Sequence, residues 1–71
     1  MKYEADIGCW EKGFVETIHA ESDSAALTIA YKRVDEAESE GRLPQNSIVV
    51  QVRRGAACVY DYMNGFYSRK R

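Results

Sequence analysis

Hydrophobic and polar residues alternate over residues 2–7. Tyr3 and Ile7 fall on one side of this segment, and charged residues fall on the other. This period of two is typical of a strand with one buried face. Two glycines then bracket a connection of hairpin length, and residues 14–20 resume with β-branched and aromatic side chains. The pattern predicts a first β-hairpin.

The second strand of this hairpin has an ambiguous facing. Phe14 and Ile18 share one side with Glu16, whereas Val15 shares the other side with polar residues. An edge strand or a β-bulge would account for the conflict. The sequence leaves both alternatives open.

A helix is predicted from the N-cap at Ser22 to about Glu40. The Ser22 hydroxyl is suited to accept a hydrogen bond from a free amide of the first turn, and Gly41 is suited to end the helix. Apolar residues recur at spacings of three and four: Ala26, Leu27, Ala30, Val34 and Ala37. This narrow, alanine-rich stripe predicts close packing of the helix on a sheet.

A second hairpin is predicted from residues 48–53 and 57–62. An Asn64-Gly65 turn then favours a short fifth strand at residues 66–67. The predicted fold is α+β with ββαββ order: a four-stranded, largely antiparallel sheet with one helix on one face. The predicted core consists of Tyr3, Ile7, Ile18, Leu27, Ala30, Val34, Ile48, Val50 and Val52.

Length and composition indicate one small domain. With 71 residues, 45% of them hydrophobic and 30% charged, residues 1–71 are expected to form a single unit with a frayed basic tail at 68–71. No stretch approaches the roughly 20 apolar residues that a bilayer requires, and no export signal is recognised. Cys9 and Cys58 are therefore interpreted as free thiols in the cytoplasm.

From the hairpin through the Ala20-Glu21-Ser22-Asp23-Ser24-Ala25-Ala26 helix entry to the Gly41-Arg42-Leu43-Pro44 exit, the layout resembles small uncharacterised proteins encoded by bacteriophages and prophages. The resemblance covers residues 2 to about 53. It implies the ββαββ fold and brings no catalytic or binding residues. The Cys9-Trp10 loop and the aromatic, basic C-terminus depart from that layout.

Neither a metal site, a cofactor site nor an active site is predicted. Zinc needs three or four ligands, and Cys9, His19 and Cys58 lack the paired spacings of such sites. A thiol enzyme would need a base beside its cysteine, and nothing places the single histidine there. The five glycines are dispersed rather than gathered in a phosphate loop. The sequence therefore favours a non-enzymatic module.

One sheet face is left open by a single helix, and apolar residues on it would contact a partner protein or a second copy of the chain. Self-association through this face or an edge strand is favoured by the small size of the domain. The candidate contact residues are Trp10, Val15, Val49 and Val59.

The alternative function is nucleic-acid binding. Residues 1–47 contain ten acids and five bases, net −5, whereas residues 48–71 contain one acid and five bases, net +4. Aromatic residues beside bases are typical of single-strand binding. The candidate contacts are Arg53, Arg54, Tyr67, Arg69, Lys70 and Arg71.

Overall fold

The computed structural model describes residues 1–66 and confirms the ββαββ prediction. Its strands pair antiparallel in one sheet of order β2-β1-β3-β4-β5, and the helix packs against β1, β2 and β3. The elements are β1 (Lys2–Cys9), β2 (Lys12–His19), α1 (Asp23–Ser39), β3 (Ile48–Arg54), β4 (Ala57–Asp61) and β5 (Gly65–Phe66). Tyr67 and the predicted frayed tail lie outside the described residues.

The first hairpin turns tightly through two residues, Trp10 and Glu11. Gly8 and Gly13 face each other just before the turn. Gly8 has φ +135°, and a Cβ placed on it would lie 2.3 Å from the Lys12 carbonyl oxygen. Only glycine permits this close approach of the two strands.

The helix begins and ends where the sequence predicts. The Ser22 hydroxyl accepts a hydrogen bond from the Ala25 amide at 3.1 Å, and Gly41 follows the helix with φ +79°. The whole apolar stripe is buried against the sheet. Helix α1 therefore covers one sheet face and leaves the other open.

β3 does not alternate as predicted. Ile7 pairs with Val49 and Asp6 with Gln51, so Val50 is an extra residue at a β-bulge. Val49 is 1% exposed and faces the helix, whereas Val50 is 40% exposed on the open face. The prediction that Ile48 and Val50 belong to the core is wrong, because the bulge changes the facing of the strand. Ile48 is only partly buried.

A second bulge lies in β4. Arg53 pairs with Cys58 and Val52 with Tyr60, which leaves Val59 as the extra residue. Val59 is 2% exposed and belongs to the core. The expectation that Val49 and Val59 lie on the open face is therefore wrong.

The remaining predicted core residues are confirmed, and the structure also settles the facing of β2. Ile18 is buried beneath the helix, and Glu16 on the same side reaches Arg33 of α1, whereas Val15 is exposed on the open face. The core contains six residues that the prediction omitted: Ala5, Ala26, Ala37, Leu43, Val49 and Val59.

The turn after β4 differs from the prediction in position. Asp61 pairs with Gly65, so the loop contains residues 62–64 and Gly65 already belongs to β5. The Asp61 carboxylate accepts a hydrogen bond from the Asn64 amide at 2.8 Å, which holds the loop. The predicted fifth strand exists, one residue earlier than expected.

Candidate interaction surface

The middle of the open face is polar. The Arg53 guanidinium donates to the Asp6 carboxylate at 2.9 Å and to the Gln51 amide oxygen at 2.7 Å, and it lies 3.5 Å from Glu4. These residues are cross-strand neighbours on β1 and β3. The hydrogen bond to Asp6 is the main cause that raises the pKa of Arg53, against a smaller opposing effect of burial. Arg53 is thus engaged by the sheet itself.

The end of the open face nearest the first hairpin turn is apolar. We call it the apolar patch, and define it as Trp10, Val15, Val50, Tyr62 and Met63, all of which are exposed. Trp10, at the hairpin tip, is 94% exposed, and Met63, in the β4–β5 loop, is 83% exposed. Val15, Val50, Tyr62 and Met63 line adjoining depressions, and Trp10 lies at the neighbouring hairpin tip. Exposed apolar clusters of this kind are typical of interaction sites.

Val50 stands between two shallow depressions in this patch. One, of about 270 Å³, lies on the first hairpin between Cys9, Phe14 and Val15. The other, of about 330 Å³, lies between Ile48, Tyr62 and Met63. The bulge in β3 creates this arrangement, because it turns Val50 onto the open face.

Each depression contains one carboxylate and otherwise mostly apolar walls. Asp6 lines the first depression and Asp61 the second. No Lys, Arg or His is among the residues that line these two depressions within the described chain. Both carboxylates already accept hydrogen bonds, Asp6 from Arg53 and Asp61 from Asn64.

Two of the four residues predicted to contact a partner lie in the apolar patch. Trp10 and Val15 are exposed there, whereas Val49 and Val59 are in the core. The prediction omitted Val50, which it assigned to the core, and the Tyr62-Met63 pair. That pair lies in the β4–β5 loop, and two large apolar side chains beside an Asn-Gly dipeptide are a signal that sequence reasoning could have used.

The structure separates the two arginines proposed for nucleic-acid contact. Arg53 lies on the open face, whereas Arg54 points toward the helix, where its Nε donates to Asp23 at 3.3 Å. This hydrogen bond raises the pKa of Arg54. Asp23 also accepts a hydrogen bond from the buried Tyr3 hydroxyl at 2.6 Å. The other four candidates, Tyr67, Arg69, Lys70 and Arg71, lie outside the described residues.

Residues 1–66 contain no group of three or more His, Cys, Asp and Glu side chains arranged to hold a metal ion. Cys9 and Cys58 are both free thiols, each partly exposed. Over the same residues, no helix has both the length and the apolar character needed to cross a bilayer.

Comparisons of the chain with protein-family models, with curated proteins and with solved structures found no match. The assignment of a function therefore rests on the geometry of the described residues.

Proposed function

We propose that this chain is a non-enzymatic protein-interaction module that binds its partner through the apolar patch. The observation that carries the proposal is the pair of depressions on either side of Val50, each with apolar walls and one carboxylate. Such a depression suits an amphipathic side chain, which buries an apolar body and offers an N–H or O–H donor. Trp, Tyr and Arg have this character and dominate the binding energy of protein interfaces.

The partner is accordingly a protein that presents Trp, Tyr or Arg side chains on its surface. Asp6 and Asp61 are the only charged residues that line the two depressions within the described chain, and both already accept hydrogen bonds, so the mostly apolar walls of the depressions determine which side chains fit. The cytoplasm is the compartment that we propose, since both cysteines are free thiols. A phage or another mobile element is the proposed source, on the resemblance in layout alone.

Selection from a random peptide library tests the proposal. We expect enriched peptides to contain Trp, Tyr or Arg, and Val50→Glu to weaken the binding of a synthetic enriched peptide at least about tenfold, which corresponds to about 1.4 kcal/mol. Thr28→Glu, on the exposed side of α1, is the matched control and should leave the affinity unchanged. Peptides that bind Val50→Glu as tightly as the original chain would contradict the proposal.

An oligonucleotide titration examines the alternative. If the chain is a nucleic-acid-binding protein, a single-stranded oligonucleotide should bind at about 50 mM salt, and deletion of residues 69–71 should reduce the dependence of affinity on salt. Such binding, together with a library that yields no Val50-dependent peptide, would replace the protein-interaction proposal.

A further inference from the structure

β2 forms a long and regular edge of the sheet. It contains eight residues, has no proline, and pairs with β1 without a register shift. The strand at the opposite end of the order, β5, contains only two described residues. Short strands, prolines, bulges and charged side chains are the usual means of protecting a sheet edge from pairing with another chain. β2 has none of the first three, and its charged residues are Lys12, beside the turn, and Glu16, on the helix side.

The hydrogen bonds at the start of β1 show which groups of β2 point outward. The Met1 amino group donates to the Ala20 carbonyl at 2.8 Å, and the Ala20 amide donates back to Met1 at 3.0 Å. Because such reciprocal pairs alternate along an antiparallel ladder, even-numbered residues of β2 bond to β1. The backbone groups of Gly13, Val15, Thr17 and His19 therefore point away from the sheet. All four residues are exposed.

We propose that β2 of a second copy of the chain pairs antiparallel with this edge about a twofold axis at Glu16. With the axis at this position, each of the four outward-pointing residues lies opposite an outward-pointing residue of the second copy. Gly13 pairs with His19 of the second copy, and Val15 pairs with Thr17. Four such pairs with two backbone hydrogen bonds each give about eight hydrogen bonds. The two sheets become one continuous sheet.

The charge of Glu16 fits this axis. Two glutamates directly opposite each other on paired strands would repel. Here the Arg33 guanidinium of α1 donates to the Glu16 carboxylate at 2.8 Å, and a guanidinium nitrogen of Arg42 lies 3.9 Å from its other oxygen. Arg42 is paired more closely with Glu40, at 2.9 Å, so the ion pair with Arg33 is the main contact that offsets the repulsion between the two Glu16 carboxylates.

The pairing also joins the two apolar patches. A twofold axis between antiparallel edge strands is perpendicular to the sheet, so both open faces lie on the same side. Val15 of one copy and Val15 of the other become diagonal neighbours, about 7–8 Å apart. The dimer thus presents one apolar surface of twice the extent. This inference rests on the edge of β2 and does not depend on the proposed function of the patch.

Sedimentation equilibrium of proline variants tests the pairing. Val15→Pro removes an outward-pointing amide without removing a hydrogen bond to β1, so we expect a folded monomer by circular dichroism and sedimentation. Val15→Thr keeps the amide and should remain dimeric. A chain that is strictly monomeric at about 1 mM, or a dimer that survives Val15→Pro, would overturn the inference.

Charge variants test the position of the axis even if Val15→Pro fails to fold. Arg33→Gln should weaken the dimer about tenfold, because it leaves the two Glu16 carboxylates less compensated, and adding Glu16→Gln should restore the affinity.

In a Cys9→Ser/Cys58→Ser background, Glu16→Cys should oxidise to a cross-linked dimer, whereas Thr28→Cys should not. Failure of the double variant to restore affinity, or of Glu16→Cys to cross-link, would exclude an axis at Glu16. Val50→Glu should leave the dimer intact, so failure of the patch proposal is distinguishable from failure of this one.

Discussion

The two hairpins of this sheet differ in the regularity of their strand pairing. β1 and β2 pair through eight residues each without interruption and close with a two-residue turn. β3 carries a bulge against β1, and β4 carries another against β3. In the first hairpin the pairing has no register shift, so side chains alternate between the two faces along the whole of both strands. In the second, each bulge adds a residue and shifts the alternation, so neighbouring valines acquire opposite environments.

The largest expected effect compares adjacent valines of β3. Val49→Asp places a carboxylate in the core without a partner and should destabilise the fold by more than about 4 kcal/mol. Val50→Asp places the same group on the open face and should cost less than about 1 kcal/mol. Urea denaturation followed by circular dichroism measures both. The opposite order of effects would mean that β3 has no bulge at Val50.

The glycines of the two turns provide the next comparison. Gly8→Ala places a Cβ 2.3 Å from the Lys12 carbonyl oxygen and should cost at least about 3 kcal/mol, since the backbone must move. Gly55 in the β3–β4 turn has φ +63° but has no atom within 4 Å of such a Cβ. Gly55→Ala should therefore cost only about 1–2 kcal/mol, the strain of the left-handed conformation. Equal losses of unfolding free energy would show that the first hairpin tolerates a wider strand separation.

The smallest expected effect appears at alkaline pH. Burial raises the pKa of Tyr60 in β4 to about 12, with a further contribution from its hydroxyl contact with Tyr31 at 3.4 Å. Burial and the hydrogen bond to Asp23 also raise the pKa of Tyr3 in β1. Because an unfolded tyrosine has a pKa of about 10, the contribution of Tyr60 to stability is complete below pH 10 and is lost as the pH rises to about 12.

Ultraviolet absorbance during alkaline titration follows tyrosine ionisation directly. We expect Tyr60→Phe to remove a component that ionises near pH 12, and Tyr3→Phe to remove a second component that ionises late. Loss of a component with an ordinary pKa on Tyr60→Phe would indicate that its hydroxyl is open to water.

Sequence reasoning succeeded where structure is determined locally. The ends of α1 follow from Ser22 and Gly41, whose capping roles involve only neighbouring residues. The strand and helix order followed from hydrophobic periodicity. The bulges at Val50 and Val59 could not be predicted, because a bulge depends on how two distant strands match in register and the chain carries no local signal for it.

The candidate site was therefore only partly predicted. Trp10 and Val15 come from the regular hairpin, Trp10 in its turn and Val15 on the strand whose facing the sequence left open. Val49 and Val59 were misplaced, and Val50 was missed, at the two bulges. Glu16 was ambiguous for another reason: it is a charged residue on the side of β2 that faces the helix, and its partner Arg33 lies seventeen positions later. Neither kind of information is present in a short window of sequence.

The interior position of β1 in the sheet has a consequence for the order in which the chain can assemble. β1 is synthesised before β3, which is one of its two neighbours in the sheet. Asp6 therefore cannot pair with Gln51 until β3 has been synthesised. Closing a loop of this length carries an entropic cost, and non-local pairings of this kind slow folding. During synthesis the first hairpin and the helix exist before β3 does, with one side of β1 unpaired. Residues 48–54 therefore complete the pairing of β1, which cannot reach its final surroundings on the ribosome until β3 has emerged.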